Sequence, residues 1–331
     1  MIKTILAATD QVTVRDAPAL SAARLAARYR ANLYILHVLE SASATNRRCI
    51  KHYRSGAEQM ATDRYTTEVR EHLQSTYRDL PALPSAPTVD VAIGLPWLAI
   101  IDRARRIRAD LIVLGPHSGH ADTRGVVRVT GSLGSTVEGV ITRESCPVMI
   151  VNRTLPPEGA IFKRILVGVD FSASCECALC FAIKAARSAG ARIHVFHMLP
   201  VPPFPKYTRG DYEADKRVVR ERIVSFCAPY LEETTPIYHT WGGVFPYDEL
   251  LQCARNIEAD LIVLGSHTKE RNGKWYAGSV VERVGLRSPC PVIAISAPEA
   301  LRAWKDLGAK LRSGDQTVDR RLRAFGGKPR R

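Results

Sequence analysis

The feature that most constrains this chain is a phrase that occurs twice. Ala109-Asp110-Leu111-Ile112-Val113-Leu114-Gly115 returns as Ala259-Asp260-Leu261-Ile262-Val263-Leu264-Gly265, and a Gly-Ser pair follows each copy, Gly134-Ser135 and Gly278-Ser279. A continuous apolar run that stops at a glycine reads as a strand buried on both faces of a parallel sheet. Gly265 ends the second run, where the backbone must turn sharply or accept a close neighbour. Gly278-Ser279 opens a helical pattern, Val280-Val281-Glu282-Arg283-Val284. A small residue and a hydroxyl at a helix start leave outward-facing N–H groups for an anion. On this reading, strand end, loop and helix start form a phosphate cradle.

The repetition extends along the chain. Asp10 and Asp170 are 160 residues apart, as are His37 and His197; Cys146 and Cys290 are 144 apart, as are Ser135 and Ser279. Landmarks repeated in one order mean a duplicated domain of ordinary size. We place the halves at 1–153 and 160–297, joined by a Pro- and Gly-containing linker from Arg153 to Ala160, with a basic helix and tail at 298–331. Each half alternates strand and helix in five rounds, which gives a parallel sheet with helices on both faces. Within the first half, 41–55 reads as a loop, 57–80 as a helix through Met60, Tyr65, Val69, Leu73 and Tyr77, and 98–108 as a helix whose basic face (Arg103, Arg105, Arg106, Arg108) is solvated.

Charge narrows the partners. The net charge is +14, and residues 299–331 hold 10 Lys and Arg against 4 Asp and Glu. Arg320, Arg321, Arg323, Lys328, Arg330 and Arg331 in this tail offer a salt-sensitive contact to nucleic acid, although a solvated extension has the same composition. No apolar run reaches the length of a membrane span, and the N-terminus reads as a first strand rather than a secretory signal, so the expected compartment is the cytoplasm. The eight cysteines show no disulfide-scaffold spacing. Most read as small buried hydrophobes; Cys175, Cys177 and Cys180 form the one cluster, with metal or redox sensing as the other reading.

Asp10 and Asp170 end strands at the carboxyl edge, where open α/β folds bind ligands, and a turn-forming aspartate would look the same. His37 and His197 read as packed, hydrogen-bonded core residues; His117 and His267 sit in the glycine loops, within reach of a phosphate or simply facing solvent. The chain has no G-x-x-x-x-G-K-[ST] loop, G-x-S-x-G elbow or H-E-x-x-H motif. Without an evident base and nucleophile, the expectation is a binding protein rather than a dedicated enzyme.

Taken in order and found twice, the Val-Asp strand end, the Ala-rich helix, the A-x-L/I-x-x-x-H strand, A-D-L-I-V-L-G, the later Gly-Ser helix start and the closing Cys-Pro-Val strand resemble the universal stress protein family in its tandem form, over nearly all of residues 1–297. The resemblance implies two Rossmann-like, adenine nucleotide alpha hydrolase-like domains, each with five parallel strands. Some members bind ATP through G-x-x-G, nine residues and then G-S or G-T. Carried onto the second half, it places Val169, Asp170, Met198, Leu264, Gly265, His267, Thr268, Gly278, Ser279 and Val280 around an adenine nucleotide, with ATP and magnesium as ligands. Asp170 would hold ribose, Val169 and Met198 would line the base, Leu264 would lie below it, and Val280 N–H would meet phosphate. Thr268 stands where the second glycine is expected. In the first half, Asp10, Gly115, Gly134 and Ser135 form a second candidate site. There Ser118 replaces the second glycine and the loop is longer, with Arg124 and Arg128 in it; Gly131-Ser132 is a rival placement. Related domains commonly pair through the last strand, here Val148 to Val151 or Val292 to Ile295, either within the chain or in a homodimer. The implied role is a nucleotide-responsive stress regulator; the alternative is a structural or interaction protein without nucleotide.

Overall fold

The computed structural model describes residues 2–10, 16–41, 49–52, 55, 57–78, 80, 83, 85–116, 133–156, 162–200, 207–231, 234–266, 269–271, 274–276 and 279–296. The first half runs β1 (Thr4–Thr9), α1 (Ala17–Tyr29), β2 (Asn32–Glu40), β3 (Cys49–Lys51), β4 (Glu58–Met60), α2 (Asp63–Thr76), β5 (Thr88–Gly94), α3 (Pro96–Arg106), β6 (Leu111–Leu114), α4 (Ser135–Ile141) and β7 (Val148–Ile150). The second runs β8 (Arg164–Gly168), α5 (Ala173–Ala189), β9 (Arg192–Pro200), α6 (Arg209–Leu231), β10 (Ile237–Gly243), α7 (Pro246–Asn256), β11 (Leu261–Ser266), β12 (Lys269–Arg271), β13 (Lys274–Tyr276), α8 (Ser279–Arg287) and β14 (Val292–Ser296).

Local chemistry sets these boundaries. The Asp16 carboxylate caps α1 by accepting from Ala19 N–H, and Ser172 Oγ caps α5 by accepting from Cys175 N–H. Both helices end on a left-handed residue, Arg30 and Gly190. Small buried residues, Ala19, Ala22, Ala23 and Ala26 on α1 and Ala178, Ala182 and Ala186 on α5, let these helices lie close on the sheet.

Five strands from each half form one ten-stranded sheet, ordered β10-β9-β8-β11-β14-β7-β6-β1-β2-β5. Pairing is parallel within each half and antiparallel at the seam, where Val292, Ile293 and Ala294 face Ile150, Met149 and Val148. The last strands of the halves therefore satisfy each other within one chain. Two side-chain bonds repeat across the seam: Asn152 Nδ2 donates to Gly285 O (2.8 Å), and Ser296 Oγ donates to Ile141 O (3.0 Å). Asn152 and Ser296 are 144 residues apart, as are Ile141 and Gly285. The duplication has thus made one lock twice. α1, α2, α5 and α6 cover one face of the sheet, while α3, α4, α7 and α8 cover the other.

Three expectations change. Residues 58–60 are not helical. Thr62 Oγ1 caps α2 by accepting from Tyr65 N–H, so the helix begins at Asp63, and Glu58–Met60 instead pairs with Cys49–Lys51 over a buried Ile50. The arginines of α3 are not merely solvated: Arg103 pairs with Asp90, Arg105 with Glu144 and Arg106 with Asp102. The start of the linker is anchored, since Leu155 is buried and its N–H donates to Ser21 Oγ at 3.0 Å. The helix and tail expected over 298–331 lie outside the described residues.

Candidate functional site

In the second half, Gly168 is in register with Leu264 on one side and Phe196 on the other. Two residues further, Asp170 stands in the row of Met198 and Ser266, and Ser266 is in register with Ser296. Neighbouring strands are about 4.8 Å apart, so this row spans the carboxyl edge of β9, β8, β11 and β14 within a nucleotide's width. Asp170 is exposed there. Its Oδ1 accepts from Ser172 N–H (3.1 Å) and Ser172 Oγ–H (2.6 Å). The aspartate thus forms the turn into α5 and also presents a carboxylate at the ligand-binding edge.

The pleat divides the remaining candidates between two faces. Met198, Leu264 and Val280 lie on the α7/α8 side, joined by Trp241, which is in register with Met198. The Trp241 ring meets Phe196 at 4.7 Å, and its Nε1–H donates to Glu249 Oε2 at 2.6 Å. Trp241 was not among the sequence candidates, and its place beside Met198 follows only from strand register. Ser266 is on this side too. It is 2% exposed, and its Oγ has no hydrogen-bond partner among the described residues. The helix α8, whose start supplies outward N–H groups, packs on β11. A buried hydroxyl without a partner at this edge suits an anionic oxygen.

Val169 lies on the opposite, α5 side. Its N–H donates to Phe196 O (2.8 Å), and its carbonyl accepts from His197 Nδ1–H (2.7 Å). Its backbone is therefore committed within the sheet. Gly265 does not end its strand, because β11 continues through Ser266. A Cβ on Gly265 would sit 2.5 Å from Cys175 N and 2.6 Å from Ser174 C. The close neighbour that this glycine admits is the first turn of α5. His267, Thr268 and Gly278 lie outside the described residues, and of Ser279 only its place at the start of α8 is described.

Between β8 and α5, Phe171 adopts a left-handed backbone (φ 63°), rare for a bulky residue and concentrated at sites that need it. Its ring packs on His197 (4.8 Å) and edge-on to Phe226 (5.4 Å), with the Arg222 guanidinium 4.0 Å from its centre. No sequence signal marks this residue.

The first half is furnished differently. His37 repeats the role of His197, with Nδ1–H donating to Thr9 O at 2.9 Å; burial pushes its pKa down. Both histidines are the packed residues expected. The buried Tyr77 hydroxyl bonds the Asp16 carboxylate and Thr9 Oγ1, and burial followed by the neighbouring Asp16 raises its pKa strongly. Asp10 is half-buried. Gly134 N–H donates to Pro116 O at 3.0 Å, which ties the start of α4 back to the end of β6. Gly115 and Ser135 flank that closure, and Pro116 stands where the second half has the Ser266 hydroxyl.

Sequence reasoning assigned no role to Asp110 and Asp260. Asp110 Oδ2 accepts from Lys3 and Thr4 N–H (2.8 and 3.0 Å), and Asp260 Oδ2 accepts from Lys163 and Arg164 N–H (2.8 and 2.9 Å). The repeated Ala-Asp thus clamps the start of each half's first strand, away from the ligand edge. Also missed was a stacked pair on β9 and β10, His194 Nδ1 to His239 Nε2 at 2.9 Å. Of the cysteines, Cys175, Cys227, Cys253 and Cys290 are buried and the other four half-buried. No group of three metal-ligating side chains occurs among the described residues, and no helix there is long and apolar enough to cross a membrane.

Comparison with known proteins agrees with this architecture. The profile of the universal stress protein family matches residues 1–152 and 161–296. The universal stress protein MJ0531 of Methanocaldococcus jannaschii is 26% identical over 160 residues, covering 45% of this chain and 91% of that protein. A universal stress protein encoded in the QAH/OAS sulfhydrylase 3' region of Thermus aquaticus is 29% identical over 136 residues, covering 41% of this chain and 99% of that protein. The crystal structure of a universal stress protein from Archaeoglobus fulgidus covers 89% of this chain and 96% of its own at 21% identity, with a TM-score of 0.57, a likeness of fold.

Proposed function

Because the chain belongs to the universal stress protein family, we propose that it is a stress-response regulator that binds an adenine nucleotide, ATP with magnesium, at the carboxyl edge of its second half. The observation that carries this reading is the Ser266 hydroxyl, 2% exposed and without a hydrogen-bond partner among the described residues, in the row of Asp170. A buried hydroxyl is rarely left unpaired unless a ligand or water completes it. In the bound state, the Asp170 carboxylate accepts from ribose hydroxyls. Met198, Trp241 and Leu264 wall the base. The N–H groups at the start of α8, with Val280, and the Ser266 hydroxyl meet phosphate oxygens. Magnesium enters with those phosphates, as it usually does.

Calorimetric titration with ATP and magnesium tests the assignment. Hydrogen bonds to a charged group contribute about 1.5–3 kcal/mol, so Asp170→Ala should weaken binding roughly 10- to 100-fold. Asp10→Ala, the matching change in the first half, should leave affinity unchanged. Equal affinities for wild type and Asp170→Ala would sink the assignment. A second reading, an interaction protein without nucleotide, is favoured by one observation: Ser172 already engages the Asp170 carboxylate. That reading expects no saturable binding by any of the three proteins.

A further inference from the structure

Cys177-Ala178-Leu179-Cys180 lies inside α5, so its two thiols are three residues apart on one helical face. Both side chains are half-buried, not sealed in the core. Helical geometry puts their Cα atoms about 5 Å apart, inside the window of about 4.4–6.8 Å that a disulfide requires. The duplication supplies an internal control. By the 160-residue offset of His37 and His197, the matching positions on α1 are Ala17 and Leu20, in the same half-buried class. Packing at these positions is thus met without sulfur in the first half. From α6, the Tyr230 hydroxyl bonds Glu176 and lies within electrostatic reach of both thiols. Burial raises the Cys180 pKa; Lys184, one turn beyond, opposes that rise and Glu176 adds to it. With no third ligand to form a metal-holding group among the described residues, the pair suits electron exchange better than metal capture.

We propose that Cys177 and Cys180 form a reversible redox site that closes as a disulfide within α5 by exchange with a low-molecular-weight disulfide. The Cys180 thiolate attacks one sulfur of the external disulfide, whose S–S bond breaks and releases one thiolate. The Cys177 thiolate then attacks Cys180 Sγ and expels the second. Two electrons pass from the protein dithiol to the external disulfide, and the two thiol protons end on the released thiols. Closure draws the Cβ atoms from the helical spacing of about 5–6 Å towards about 3.8 Å. That strain makes the bond easy to reduce again.

The test incubates the full chain with excess oxidised glutathione, followed by alkylation and peptide mass mapping. Wild type should lose two alkylatable thiols, at Cys177 and Cys180, and regain both with dithiothreitol. Cys177→Ala and Cys180→Leu, which install the residues of α1 and so keep the fold, should each stop at a mixed disulfide on the remaining thiol. Cys175 shares the peptide, but it is buried and its thiol faces Gly168 O (3.7 Å), so Cys175→Ala should still close the bond. Retention of both thiols, a persistent mixed disulfide in wild type, or closure that requires Cys175 would overturn the proposal.

Discussion

Replacing Gly265 by alanine separates two explanations for the glycine that follows the repeated apolar strand. If the residue serves a ligand, an added methyl group should spare the fold and damage binding. The geometry says otherwise. The new Cβ would lie 2.5 Å from Cys175 N, 2.6 Å from Ser174 C and 2.9 Å from Cys175 Cα, about 0.9 Å inside ordinary contact at the worst point. All three are backbone atoms in the first turn of α5, and Ser172 holds that turn by its cap. Relief requires the helix to move away from β11. Overpacking a close-packed core costs about 1–3 kcal/mol, and this site belongs at the upper end because no flexible side chain can yield. Gly168 is the control. Its Cβ would meet only the Leu264 Cδ2 end at 2.6 Å, with Leu250 methyl groups from 3.4 Å outward. A rotamer change there should hold the cost below about 1.5 kcal/mol. Denaturant unfolding monitored by circular dichroism reads both. Gly265→Ala should lower the midpoint clearly more than Gly168→Ala. Equal midpoints for Gly265→Ala and wild type would refute the packing argument and return the glycine to a ligand role.

Two further predictions follow from the same structure. Removing both seam locks with Asn152→Ala and Ser296→Ala should destabilise the chain by about 1–3 kcal/mol, seen as a lower denaturation midpoint, since Asn152 donates to the carbonyls of Gly285 and Ser288 and Ser296 donates to that of Ile141. The His194–His239 pair should make stability fall with acid. Burial, then His239, Arg164 and Arg192, depresses the His194 pKa, and burial depresses that of His239. Near and below the ordinary imidazole value of 6.5 the unfolded chain therefore binds more protons than the folded one, so this contribution is present above that pH and is lost as pH falls below it. In thermal melts across pH 5 to 8 (a window of about three units around the imidazole range), His239→Gln should flatten the decline; an unchanged slope would count against it.

The sequence made the duplicated architecture legible because buried parallel strands are written as unbroken apolar runs, and two copies in one order leave few alternatives. It also placed His37 and His197 as packed residues, and both bond the carbonyl at the end of the neighbouring strand. Legibility failed where a partner decides. Met60, Tyr65 and Val69 carry helical spacing, yet the Thr62 cap starts the helix after Met60 and frees that segment for a hairpin with Cys49–Lys51. Gly265 signals close approach, but nothing in the chain says that a helix rather than a phosphate approaches. Asp260 carries no legible role in the repeated phrase and is a clamp on the Lys163 and Arg164 N–H groups. Trp241 joins the candidate site through strand register, which has no local sequence mark.

The central proposal is that the second half holds a nucleotide and that the first, where Tyr77 engages Thr9 and Gly134 N–H bonds Pro116 O, does not. Native mass spectrometry of the full chain titrated with ATP and magnesium tests this most directly. One nucleotide per chain, lost with Asp170→Ala and kept with Asp10→Ala, is the predicted result. Two per chain, or none at millimolar ATP, would contradict it.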